Sequence, residues 1–112
     1  MGSSVIKITL NEDESFLDAI KRNEYRLATQ TIINVCEAVH NNLKSIDIAK
    51  IVTPHHNITL KSTEYYYREA LELNKNTMIK YEEYELCAKA NKALEILAER
   101  ESAIPNTALD YI

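Results

Sequence analysis

The sequence predicts a mainly α protein, a long helical hairpin with a short elbow segment and room for a two-stranded β ribbon, and three observations carry that expectation. Glycine is absent after Gly2, and the only prolines are Pro54 and Pro105. The two residues that helix interiors reject are thus confined to the start, one central point and the tail. Apolar residues also recur at helical spacing on both sides of Pro54, giving two long amphipathic stretches.

Residues 1–10 read as a strand or extended arm. Val5, Ile6, Ile8 and Leu10 alternate with Lys7 and Thr9, in β-favouring residue types. Asn11 offers a helix cap with Glu14 as its capping-box partner, so a helix is predicted over 11–44. At 100° per residue, Phe16, Leu17, Ile20, Leu27, Ala28, Thr31, Ile32, Val35, Cys36, Val39 and Leu43 fill one arc. Ile33 is the large apolar residue outside it.

The elbow is 45–61, where Ser45 to Val52 reads as a short helical turn ended by Pro54. The triplet Ile58-Thr59-Leu60 repeats Ile8-Thr9-Leu10, and the two could pair as the small ribbon. A second long helix is predicted over 62–101. Its apolar face changes side: Tyr67, Ala70, Leu71, Asn74, Thr77, Met78 and Tyr81 lie together, whereas Leu86, Cys87, Ala90, Ala93, Leu94 and Leu97 lie nearly opposite on a straight rod. Either the helix bends near Glu82-Glu83 or its halves meet different partners. A helix of about 40 residues would span about 60 Å, longer than a compact domain of this size. A second copy is therefore expected on Leu86, Ala90, Leu94 and Leu97, making the protein a homo-oligomer, a dimer first, assembled as a helical bundle. The tail, 102–112, carries Ile104, Leu109, Tyr111 and Ile112, apolar enough to lie over a groove.

The 112 residues form a single domain, able to bury roughly 65% of the unfolded surface. Thirteen Lys and Arg against seventeen Asp and Glu give a formal charge of −4, which disfavours general affinity for nucleic-acid phosphates or anionic membranes. Cys36 and Cys87 are too few for a disulfide scaffold and suit a reducing cytoplasm. There is neither a secretory leader pattern nor an apolar run of membrane-spanning length.

Four groupings could carry chemistry. Glu37 and His40 have the Glu-x-x-His spacing of helical di-metal sites, but the second such pair is missing and both fall on the polar arc. Glu69 with Glu72, and Glu82 with Glu85, are spaced like Mg²⁺-bridging pairs. In that and in size the chain resembles all-helical nucleotide pyrophosphohydrolases, yet both pairs ride one predicted helix among Lys75, Lys80 and Lys89 and read as a solvated face. His55-His56 lacks the companion spacing of a zinc site and reads as a loop pair, though histidine titrates near neutrality. Gly-rich phosphate loops and nucleophile motifs are missing, so neither an enzyme nor a cofactor or metal site is expected.

The tyrosines are the distinctive group. There are seven, with no tryptophan, and Tyr65, Tyr66, Tyr67, Tyr81 and Tyr84 cluster in the first half of the second long helix. Tyrosine suits intermittently buried surfaces, and three in succession point three ways on a helix, so these five are the candidate partner-binding residues.

Two stretches resemble known families. Ile6-Lys7-Ile8-Thr9-Leu10 followed by Asn11 to Leu17 resembles the strand and first helix of ribbon-helix-helix DNA-binding dimers. That resemblance implies a regulator contacting phosphates through Lys7, Lys21, Arg22 and Arg26. Tyr65 to Asn74 resembles the second helix of a tetratricopeptide unit, but the similar phrase Ala93-Leu94-Glu95-Ile96 follows too soon for that repeat. The leading expectation is a non-enzymatic protein-protein interaction module, a small inhibitor or regulator of phage, mobile-element or immunity type. The DNA-binding regulator is the alternative.

Overall fold

A computed structural model describes residues 4–102. The element order is β1 (Ile6–Thr9), α1 (Phe16–Arg22), α2 (Glu24–His40), β2 (Ser45–Val52), β3 (Asn57–Thr63), a 3-10 turn (Glu64–Tyr66), α3 (Tyr67–Lys80) and α4 (Tyr84–Ser102). This overturns the long helical hairpin. The chain is α-rich, with four helices and a small three-stranded mixed sheet of order β1-β2-β3. The interior of the predicted tail, from residue 103 on, lies outside the described residues.

Each predicted long helix is two. The first breaks at Asn23, whose main-chain N–H donates to the carbonyls of Ala19 and Ile20 while its side-chain amide donates to Ala19 O at 2.8 Å. Asn23 thereby ends α1 and leads directly into α2. The start of α1 is also later than the sequence suggests. Ser15 caps it, accepting from Asp18 N–H at 3.1 Å, while Glu14 reaches back to Asn11 N–H within the preceding turn.

The second long helix breaks at residues 81–83. Glu82 N–H donates to Ile79 O and Glu83 N–H to Met78 O, the paired bonds of a Schellman cap, with Glu82 in the left-handed region at φ 59°. Helix α2 ends the same way. Asn42, at φ 56°, donates to Val39 O, and Leu43 donates to Ala38 O. Glycine normally occupies this position, and the break at 81–83 is the bend expected near Glu82-Glu83, made without it.

The predicted elbow is a hairpin. β2 and β3 pair antiparallel, with a bulge between Asp47 and Ala49, and β1 joins β2 in parallel across the α1–α2 crossover. The triplets around Ile8 and Ile58 do not form a ribbon with one another. Both flank β2 in one row, Ile8 and Ile58 each opposite Ile51. The turn between β2 and β3 is closed by Thr53, whose N–H and hydroxyl both donate to His56 O.

Two cores result. Ile8, Ala19 and Ile51 fill the smaller one, between one sheet face and α1. In the larger, Ile32, Val35 and Val39 of α2 meet Tyr67, Leu71 and Met78 of α3 and Cys87, Ala90 and Ala93 of α4. The opposed apolar faces of the predicted rod therefore meet on one core, because α4 folds back along α3.

Candidate partner-binding surface

The five candidate tyrosines separate into distinct environments. Tyr65 and Tyr66, in the 3-10 turn leaving β3, are 80% and 65% exposed. Tyr67 is buried, and its hydroxyl donates to Leu43 O at 2.7 Å, pinning the start of α3 to the end of α2. Burial, reinforced by the charge of nearby Glu64, pushes the Tyr67 phenol up from its ordinary value. Tyr67 is an anchor that sets its two neighbours outward.

Tyr81 and Tyr84 lie at the other end of α3. The Tyr81 ring meets Tyr25 edge-on at 5.1 Å between centroids, and its hydroxyl donates to Glu24 Oε2 at 2.8 Å. Lys80 Nζ reaches the same oxygen at 2.9 Å, and the Tyr25 hydroxyl donates to Glu83. Those bonds to carboxylates raise both phenols and lower Glu24, whose largest influence is Lys80. Tyr81 is thus engaged within the chain, whereas Tyr84 is 64% exposed.

A groove of about 300 Å³ runs beside Tyr65. Leu43 and Leu97 supply apolar wall, and Glu64, Arg100 and Glu101 supply charge. Arg100 donates to Val39 O at 2.7 Å, adding a side-chain donor to a carbonyl of the α2 cap, and Glu101 is ion-paired with Arg68. Leu43, Arg100 and Glu101 were not among the sequence candidates. The only hint was Leu43, a large apolar residue directly after an Asn able to end a helix.

The face expected to hold a second copy lies along the larger core of its own chain. Ala90 is fully buried, and Leu86, Leu94 and Leu97 pack against the larger core. Glu69, Glu72, Glu82, Glu85, His40, His55 and His56 are all exposed, and among the described residues no group of three potential ligands gathers as a metal site. Cys36 and Cys87 are buried free thiols donating to Lys89 O and Lys75 O, and burial pushes the Cys36 thiol up against the opposing charge of Lys89. Among the described residues, no helix is long and apolar enough to cross a membrane.

The ribbon-like segment is built differently from the dimers it resembles, since β1 pairs in parallel with β2 of its own chain. Arg22 donates to Thr9 O and to Glu14, and Arg26 to Lys7 O. Comparison with protein-family models, with curated proteins and with solved structures finds no match for this chain.

Proposed function

We propose that this protein is a non-enzymatic binding module of the small inhibitor or regulator type, working in the cytoplasm and gripping another protein through Tyr65, Tyr66 and the adjoining groove. One observation carries the reading. Two consecutive tyrosines stand 80% and 65% exposed on a turn fixed by their buried neighbour Tyr67. Large rings held outward by a rigid support lose little conformational freedom on contact, which is the property of interface anchors. The phage, mobile-element or immunity setting rests on size and acidity alone.

The double variant Tyr65→Ser/Tyr66→Ser tests it. Thermal melting should stay within a few degrees of the parent, because neither ring contributes to a core. Affinity for a partner isolated from the native host by the parent protein should fall by at least about tenfold, as loss of an interface anchor does. A variant that keeps both its fold and its full affinity removes the tyrosines from the site.

Contact with DNA remains the second reading, favoured by the register that sets Lys7 beside Lys50 on the sheet face away from the helices. Two or three lysines against phosphates give a shallow salt slope, about −2 to −3 in log K against log salt. Salt-independent partner affinity supports the tyrosine surface instead.

A further inference from the structure

We infer that the outer side of β3 is a dimerisation edge, pairing antiparallel with β3 of a second copy so that two three-stranded sheets become one continuous sheet. The inference does not rest on the tyrosine surface, which lies beyond the end of the strand.

The sheet has two edges, and they are treated differently. Leu10 N–H donates to Val52 O, so alternation turns the carbonyls of Lys7 and Thr9 away from β2. Those two carbonyls are the ones that accept from Arg26 and Arg22, at 3.4 and 3.1 Å. The β1 edge is therefore closed by guanidinium groups, a common protection against stray strand pairing.

Among the described residues, no such closure exists at β3. The bonds from Thr53 N–H to His56 O and from Glu64 N–H to Lys44 O bracket the β2–β3 ladder. Alternation between them turns the main chain of Asn57, Thr59, Lys61 and Thr63 outward. Among the described residues, no side chain bonds to that outward main chain, and β3 has β2 as its only strand neighbour.

The occupant is a second copy because the strand complements itself. A two-fold axis at Leu60 sets Asn57 opposite Thr63 of the other copy and Thr59 opposite Lys61, using the full strand. Each such pair exchanges both main-chain bonds. Lys61 then avoids its own copy, and within the chain it already faces Asp47 across the ladder. Ile58 and Leu60, only half-buried against the smaller core, would gain cover, with Leu60 meeting Leu60.

Sedimentation of the full chain and of Thr59→Pro tests the inference. Proline removes an outward N–H that β2 does not use, and edge strands tolerate it there. The parent should sediment as a dimer, and Thr59→Pro should keep its circular dichroism while dimer affinity weakens by at least about tenfold. If Thr59→Pro fails to fold, Leu60→Cys provides the reading: mild oxidation should give a covalent dimer, since facing non-hydrogen-bonded residues have the separation a disulfide needs. A parent that stays monomeric at millimolar concentration overturns the inference, leaving the edge to a foreign strand. So does a folded Thr59→Pro that dimerises undiminished, or a Leu60→Cys that does not cross-link.

Discussion

Asn34 shows how a single polar side chain can hold three segments together. It sits on α2 fully buried, and its amide donates to Ser4 O at 2.8 Å and Asp47 O at 2.9 Å while its oxygen accepts from Gln30 at 2.7 Å. Ser4 leads into β1 and Asp47 begins the bulge in β2, so one residue fixes the start of the edge strand and the irregular point of the central one. Such a group has no tolerable apolar substitute. Asn34→Leu keeps the branched outline but removes the donor to the Ser4 and Asp47 carbonyls and places a larger apolar group in a fully buried position, a loss of about 2 kcal/mol. Urea unfolding should show the midpoint falling with the denaturant slope unchanged, and an unchanged midpoint would mean that water replaces the amide. By sequence alone Asn34 fell on the polar arc, because helical phase cannot show that a strand bulge crosses over that position.

At the scale of elements, the helix stops decide the architecture, and the chain makes them without glycine. Asn42 is a natural occupant of the left-handed cap, but Glu82 is not, and a residue with a β-carbon pays about 1 kcal/mol or more there. Glu82→Gly should relieve that strain, less the extra freedom glycine gives the unfolded chain, for a net gain of up to about 1 kcal/mol. Lys92→Gly, on the exposed side of α4, should instead lose about 1 kcal/mol. Opposite signs in parallel denaturation curves check the assignment. The same two caps explain what the sequence revealed and concealed. The stripes of α2, α3 and α4 were legible because each buries one face: Ile32, Val35 and Val39, then Leu71 and Met78, then Ala90 and Ala93. Their ends were less legible: the reversal of the apolar face marked a bend near Glu82-Glu83, but the stops at Asn23 and Asn42 are made by hydrogen bonds and backbone geometry that no glycine or proline announces. The hairpin was hidden by the bulge, where Ile48 and Ala49 are buried in succession and break the two-residue period that marks a strand. Of the candidate site, it followed from their succession that the three consecutive tyrosines cannot all be buried, but how many are exposed and which one anchors depended on where α2 ends.

The whole molecule is tied at its far end by charge. Glu24 at the start of α2 accepts from Lys80 and Tyr81 at the end of α3, and Tyr25 donates to Glu83 in the turn to α4. Near the sheet, Glu14 accepts from Arg22. The resulting pH dependence has a definite sign on each side. Glu14 and Glu24 are held below the ordinary carboxylate value, chiefly by Arg22 and Lys80 respectively. Their contribution is present above the unfolded carboxylate range, near pH 4.5, and is lost as pH falls through their lower folded values. Tyr25 and Tyr81 are raised, chiefly by hydrogen bonds to Glu83 and Glu24. Their contribution is complete below the unfolded phenol value, near pH 10, and is lost as pH rises through the folded ones. Urea midpoints measured from pH 3 to pH 11 should therefore form a plateau with an acidic and an alkaline fall. Glu14→Gln/Glu24→Gln should flatten the acidic limb and lower the plateau modestly, because these pairs are solvent-screened. Tyr25→Phe/Tyr81→Phe should flatten chiefly the alkaline limb and the acidic limb only slightly, because Tyr81 is the second influence after Lys80 that lowers Glu24. An acidic limb unaltered in the first variant would assign the acid sensitivity to other carboxylates and leave α2 joined to the α3–α4 turn by packing, with the edge-on contact of Tyr25 and Tyr81 as the tie that remains.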